Sequence, residues 1–194
     1  RSSKTHRSAF IMNAKIQNLL PEQSIRFYTH TQLLDAHTIV LETTTSIQTL
    51  IDRIDKSITF LKTSFENVLH PSTFTELESL ISIARYLSND FCNTFDVQLE
   101  NYKNSVTETK CDAGGFLDLY GLAHEFFNWL SSLIFQIKDE LRTVKQTSKA
   151  LCDAVFASLE NLINIADYYS DNQRNTFKIE FEKFEAEWEA TKNG

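Results

Sequence analysis

The residues from Leu33 to Val68 form one stripe whose members are spaced alternately four and three positions apart. A seven-residue repeat of this kind is typical of a helix that packs along its whole length against other helices. Further apolar residues beside the stripe widen it, which predicts at least two neighbouring helices. The helix is predicted to end at His70-Pro71, because proline disfavours the α conformation of the residue before it. The stripe consists of Leu33, His37, Val40, Thr44, Ile47, Ile51, Ile54, Ile58, Leu61, Phe65 and Val68.

A second helix, antiparallel to the first, is predicted to follow the proline. Thr73 and Glu76 have the spacing of a capping box at its start. Its apolar stripe ends in a polar loop, where Gly114 and Gly115 are expected to break the helix. The first two helices are therefore predicted to form a hairpin over residues 31–110 with a connection of two or three residues.

The region from 116 to 169 contains no proline and carries another unbroken apolar stripe. We predict one continuous or merely kinked helix there. The alternative is a break near residues 145–148, where apolar residues thin out and Ser148 could cap a new helix. Beyond this region, Ser170 or Asp171 is predicted to cap a short amphipathic helix.

Glycine and proline are scarce, with 4 and 2 residues in a chain of 194, where average usage gives about 14 and about 10. Few tight turns are available, so the elements must be few and long, which indicates helices. The predicted fold is all-α: an elongated, coiled-coil-like antiparallel bundle of three or four long heptad-patterned helices with a short helix at each end, the first over 9–20. We predict a basic N-terminal segment, 1–30, and a single bundle domain, 31–194, made of the hairpin and residues 115–194.

The net charge of −7 is unevenly distributed. Residues 1–30 carry five Lys/Arg and a single Glu, so the acidic excess lies in the remainder. An acidic surface repels phosphate backbones and anionic lipid, which argues against nucleic-acid binding and membrane bending. The most apolar stretch, 114–135, is interrupted by Asp118, His124 and Glu125, so no transmembrane segment is predicted.

Motifs for catalysis and metal binding are missing from the sequence. It contains no glycine-rich phosphate or dinucleotide motif, no nucleophile elbow, no CxxC and no Glu-x-x-His segments. His30 and His37 share a helix face but have no third ligand nearby. We therefore predict that the protein is not an enzyme and that it holds no metal or cofactor.

Three cysteines are too few and too scattered for a disulfide framework or a zinc site. Their odd number favours a reducing compartment and predicts a cytoplasmic protein. Cys92 and Cys152 adjoin core positions and are predicted to be buried, whereas Cys111 is predicted to be accessible. A single disulfide among them is the alternative.

The FNWL sequence at 127–130 lies in a heptad-patterned helix and is similar to the first helix of a spectrin repeat. In that family a tryptophan packs at the middle of a three-helix coiled coil, so the resemblance implies a central position for Trp129. It covers residues 116–142 alone and concerns architecture.

A long bundle with short loops offers extended side faces and few concave pockets. The leading hypothesis is a non-enzymatic protein–protein interaction or scaffold module of a larger intracellular protein, with a cytoskeletal, trafficking or regulatory role. Its partner would be another protein bound through helix faces, and the oligomeric state stays open. One alternative is a carrier of a hydrophobic ligand, lined by Phe126, Phe127, Trp129 and Phe135. The other is a secreted or surface receptor or effector domain.

The helix that contains residues 114–135 is apolar most of the way round, so several of its sides must be covered. Either the aromatic stripe of residues 177–188 folds back over it, or another chain does. Phe127 lies off the core stripe and is predicted to be at the surface. The candidate partner-binding residues are Phe127, Trp129, Phe135, Phe177, Phe181, Phe184 and Trp188.

Overall fold

The structure, a computed structural model, describes residues 26–104 and 110–192. Four long helices make up most of these ranges, so the all-α class is confirmed: α1 (His30–Ser64), α2 (Thr75–Asn104), α3 (Ala113–Thr147) and α4 (Ala157–Lys192). A short 3₁₀ turn precedes α2 at Pro71–Phe74, and another precedes α4 at Asp153–Phe156. Two short strands, β1 (Tyr28–Thr29) and β2 (Lys110–Cys111), pair in an antiparallel arrangement.

The helices are arranged as two hairpins packed side by side. Helix α1 packs chiefly against α2, and α3 packs against α4. Helix α2 also lies along α3, and α1 lies along α4, which closes the bundle. Helices α1 and α3 have 35 residues each, or about 52 Å at 1.5 Å per residue. The bundle is therefore elongated, as predicted.

The turn between α3 and α4 differs from the favoured prediction of one helix over 116–169. Helix α3 ends at Thr147, and the backbone N–H of Ser148 donates to the Val144 carbonyl at 2.9 Å as its C-cap. The alternative, a break near 145–148, is confirmed, although Ser148 ends one helix instead of starting the next. The break allows α3 and α4 to bury their apolar faces against each other. In one continuous helix these faces would stay uncovered.

The start of α3 was also predicted wrongly, because Gly114 and Gly115 lie inside its first turn. The Asp112 carboxylate accepts a hydrogen bond of 2.9 Å from the Gly114 N–H and caps the helix. A Cβ atom at Gly115 would lie 2.8 Å from Leu33 Cδ2. The glycine therefore permits close approach of α1 and does not break the helix.

The short C-terminal helix does not exist as a separate element. Ser170 and Asp171, its predicted caps, lie in the interior of α4, and Ser170 is buried. An aromatic face continues past them to the end of the same helix. The predicted N-terminal helix over 9–20 lies outside the described residues, and the division of the chain at residue 30 stays a prediction.

The second half of α4 covers the apolar start of α3. The rings of Phe184 and Phe116 are stacked with centroids 4.6 Å apart. The centroids of Phe177 and Phe127 are 5.5 Å apart. The prediction that the aromatic stripe folds back over residues 114–135 is therefore confirmed.

The two hairpins are copies of one structural unit, a feature that our sequence analysis missed. FTELESLISIARYLS at 74–88 and FASLENLINIADYYS at 156–170 are identical at nine of fifteen positions, with an offset of 82 residues. Between α1 and α3 the offset is 83, and ten of the eleven buried residues of α1 have a buried counterpart in α3. We call α1–α2 the first repeat and α3–α4 the second.

Ion pairs recur at equivalent places in both repeats. Lys62 pairs with Glu78 at 2.8 Å, and their counterparts Lys145 and Glu160 pair at 2.8 Å. A second contact is retained with its charges exchanged: Asp55–Arg85 at 2.9 Å corresponds to Lys138–Asp167 at 2.5 Å. An ion pair therefore joins the two helices at this place in both repeats, although the acidic and the basic residue have exchanged helices.

The β ladder joins the beginnings of the two repeats. Tyr28 lies opposite Cys111, the residue that corresponds to Tyr28 in the second repeat at the 83-residue offset. The following residues, Thr29 and Asp112, are the side-chain N-caps of α1 and α3. Equivalent residues meet in this way where a local two-fold axis relates two copies.

Candidate interaction surfaces

The seven residues predicted to bind a partner do not form one surface. Phe127, Phe177 and Phe184 are buried in the core, Phe181 and Trp188 are partly buried, and Trp129 and Phe135 are exposed.

The prediction that Phe127 lies at the surface is wrong. Its side chain is 0 % exposed and packs edge-on against Phe126, with ring centroids 4.7 Å apart. The position lies off the predicted α3 stripe, but α4 covers it. Trp129 is 47 % exposed, so the central packing implied by the spectrin-repeat resemblance is not found.

Exposed apolar side chains recur at equivalent positions of α2 and α4. Ile83 and Ile165 are 52 % and 53 % exposed, and Tyr86 and Tyr168 are 73 % and 76 % exposed. A third equivalent pair is Val97 and Ile179. Half of the twelve exposed large apolar residues in the described ranges belong to these three pairs.

The three pairs belong to two longer surface stripes, which we call the outer seams. All twelve residues are exposed, and they are spaced three, four, three, four and three positions apart. That is the heptad spacing of a helix seam. The α2 seam is Ile83, Tyr86, Asp90, Asn93, Val97 and Glu100, and the α4 seam is Ile165, Tyr168, Asn172, Asn175, Ile179 and Glu182.

The two outer seams share more identical residues than the other exposed positions of α2 and α4 do. Four of the six seam pairs are identical, and the other two are Val/Ile and Asp/Asn. Nine further position pairs between 75 and 104 are exposed in both repeats, and none of these nine is identical. Core packing explains the retained buried residues but constrains an exposed side chain only weakly. The likeness of the two seams therefore concerns residues on the surface of the bundle.

The acidic excess of the bundle lies on the two helices that carry the seams. Helix α2 has five Asp/Glu against two Lys/Arg, and α4 has eight against four. Helices α1 and α3 each have four against three. Each seam thus combines three large apolar residues with three polar ones, and both seams lie on acidic helices.

A small polar cluster lies where the first repeat meets β2. The His30 ring stacks on Tyr102 with centroids 4.4 Å apart, and the His37 ring lies 5.3 Å from Tyr102. The thiol of Cys111 hydrogen-bonds Tyr102. In the second repeat the corresponding positions of His37 and Tyr102 are the stacked pair Tyr120 and Phe184.

Burial raises the pKa of the Cys111 and Cys92 thiols, which disfavours the nucleophilic thiolate. Within 26–104 and 110–192, no three His, Cys, Asp or Glu side chains are grouped so as to hold a metal ion.

All three cysteines are free, and Cys152 is exposed, so its predicted burial is wrong. It lies just outside the 3₁₀ turn that precedes α4.

His37 gives the fold a dependence on pH. Its side chain is 7 % exposed, and burial lowers its pKa from the usual 6.5 because the charged imidazolium is poorly solvated. The unfolded chain therefore binds a proton more readily than the folded chain below about pH 6.5, so stability falls as the pH falls. We expect the melting temperature of the protein to drop more between pH 7.5 and pH 5.5 than that of His37→Gln. Equal drops would show that His37 is not responsible.

Of three cavities in the described ranges, one is lined by a single residue, Phe135, of the pocket proposed for a hydrophobic ligand. Cavities of about 260, 160 and 530 Å³ lie beside Pro71, between Lys138 and Glu160, and beside Phe135. None of these three is lined by Phe126 or Phe127, which are both 0 % exposed. These two rings fill the core instead of lining a void.

None of the helices in the described ranges is long and apolar enough to cross a bilayer. Comparisons with known protein families, with curated proteins and with solved structures found no match.

Proposed function

We propose that this chain is a non-enzymatic protein–protein interaction module that works inside the cell as part of a larger assembly. The observation that carries the proposal is the retention of the outer seams in two repeats that differ at all nine other position pairs exposed on both α2 and α4. Exposed isoleucine and tyrosine contribute little to the stability of an isolated bundle, but tyrosine is among the residues enriched at binding sites.

The bundle architecture supports the same proposal. Four packed helices of 30 to 36 residues present long side faces on which another protein could pack. The free thiols and the absence of Asn-x-Ser/Thr sequons are compatible with a reducing compartment.

The proposal is tested by capture of partners from the native cell with tagged protein. We expect one or more proteins to be retained by the wild type and lost from a variant with Ile83→Ser, Tyr86→Ser, Ile165→Ser and Tyr168→Ser. Phe60→Ser is the matched control, since Phe60 is 66 % exposed and its counterpart in the second repeat is Thr143. Circular dichroism and urea unfolding establish that all variants are folded. A set of captured proteins that is identical for the wild type and the quadruple variant would refute the proposal.

A further inference from the structure

We propose that each outer seam binds one amphipathic helix with basic flanking residues, so that one chain binds two such helices. This inference rests on the proposed function and names the chemistry of the partner. It follows from the spacing of the seams, their polar members, their charge and their placement on opposite sides of the bundle.

The seam spacing selects a helix as the occupant. Positions three and four apart present a ridge nearly parallel to the helix axis, and a second helix packs on such a ridge at a shallow crossing angle. An extended strand would need unpaired backbone groups, and every seam residue is inside a regular helix. The seam from Ile83 to Glu100 is about 26 Å long, which corresponds to a partner helix of about 18 residues.

The chemistry of the seam is apolar at both sides of a polar centre. Ile83 and Tyr86 lie before the centre and Val97 lies after it, and the α4 seam has the same order. Asp90 and Asn93, with their counterparts Asn172 and Asn175, occupy the centre, and Glu100 and Glu182 end the two seams. Polar residues at seam positions lower affinity but select the register and orientation of the bound helix. The partner is therefore expected to place an amide or hydroxyl side chain opposite these asparagines.

The negative charge of α2 and α4 favours basic residues beside the apolar stripe of the partner helix. The seam segments 83–100 and 165–182 each have a net charge of −2, so each attracts a helix with Lys or Arg beside its apolar stripe. A second copy of this bundle would bring one acidic helix against another, which like-charge repulsion disfavours. We therefore assign the seams to a basic partner and not to self-association.

The two sites are independent of each other. Helices α2 and α4 each pack against α1 and α3, and they do not lie side by side. Occupation of one seam leaves the other open. A chain with two equal sites is able to join two partner molecules or to bind a bivalent partner with increased avidity.

The inference is tested with a designed peptide of about three heptads. It carries Ile and Leu at the seam positions, one central Asn, and Lys at the flanking positions, so that it repels itself. The control peptide replaces each Lys with Glu. Isothermal titration at about 0.15 M salt measures the number of peptides bound per chain. The protein variants are Ile83→Ser/Tyr86→Ser, Ile165→Ser/Tyr168→Ser, all four together, and the Phe60→Ser control.

We expect two Lys peptides per wild-type chain, one for each double variant, none for the quadruple variant and two for Phe60→Ser. The serine variants leave the charge unchanged, so a loss of binding reports on the seam and not on general electrostatic attraction. The Glu peptide is expected to bind at least tenfold more weakly. The inference would be overturned by equal affinity for the two peptides. It would also be overturned if the wild type and the seam variants bound the same number of peptides per chain.

Two further outcomes separate this inference from the proposed function. If the seam variants lose native partners but neither peptide binds, the interaction module stands and the basic helix is the wrong occupant. If sedimentation shows a wild-type dimer that the quadruple variant lacks, the seams bind a second copy, which also overturns the inference. Failure of the capture experiment together with tight, seam-dependent peptide binding would leave the helix sites intact and refute the cellular role.

Discussion

Phe127→Ala is expected to lower the free energy of unfolding by about 3–5 kcal/mol, the usual cost of removing a fully buried phenylalanine ring. The ring contacts Phe126 and Phe177, so its loss leaves a cavity between α3 and α4. Urea unfolding followed by circular dichroism measures the change. Phe135→Ala is the matched control on the same helix, because Phe135 is 61 % exposed.

The control is expected to change the free energy of unfolding by less than about 0.5 kcal/mol, the range for surface substitutions away from special features. Similar effects at both positions would contradict the packing of α4 over α3. The comparison also decides between core and surface roles for a position that the sequence pattern alone placed at the surface.

Phe184→Ala is expected to have an effect of similar size, about 3–5 kcal/mol. Its ring stacks on Phe116 at 4.6 Å and on Tyr120 at 5.7 Å, and it meets Tyr28 edge-on at 5.4 Å. The substitution therefore weakens the contact between the end of α4, the start of α3 and β1 together. The Tyr28 hydroxyl also donates to Glu187 one turn further along α4.

The measurement for Phe184→Ala is again the free energy of unfolding, with Glu185→Ala as its neighbour control on the exposed face. The control is expected to stay within about 0.5 kcal/mol of the wild type. An unaffected Phe184→Ala protein would mean that the end of α4 does not cover α3, and that residues 114–135 need another chain to cover them.

Much of the fold was predictable from the sequence because heptad spacing depends on local geometry alone. The stripe from Leu33 to Leu61 became the buried face of α1, and only the residues after Ser64 left the helix before the proline. The scarcity of glycine and proline correctly indicated long elements. His37 and Thr44, the two polar members of the stripe, are both buried.

The boundaries were less predictable because they depend on what the helix ends contact. The seven-residue spacing continues on both sides of 145–148 and of Ser170, yet the chain turns at the first and continues as a helix at the second. Ser148 is left at a helix end by the packing of α4 back onto α3. Ser170 is buried as an interior residue of α4, where its hydroxyl donates to the Asp167 carbonyl at 3.1 Å.

The candidate site was only partly predictable. The predicted set combined core rings such as Phe177 with exposed rings such as Phe135, because an aromatic at helical spacing looks the same in either role. The internal repeat was present in the sequence as FTELESLISIARYLS and FASLENLINIADYYS. Its functional meaning needed the structure, since only burial separates residues retained for packing from residues retained on the surface.

By itself, the sequence determined an all-α chain of long heptad-patterned helices with an acidic body. Residue spacing and turn residues act locally, and the net charge is a sum over the residues, so none of these depends on the tertiary structure. The tertiary structure decided which faces those helices share. It buried Phe127 beneath α4, it left Ile83 and Tyr86 and their counterparts in the second repeat in solvent, and it placed the two outer seams on helices that do not lie side by side. The physical reason is that a helix carries apolar residues on more than one face, and only the packing of its neighbours decides which of them is covered.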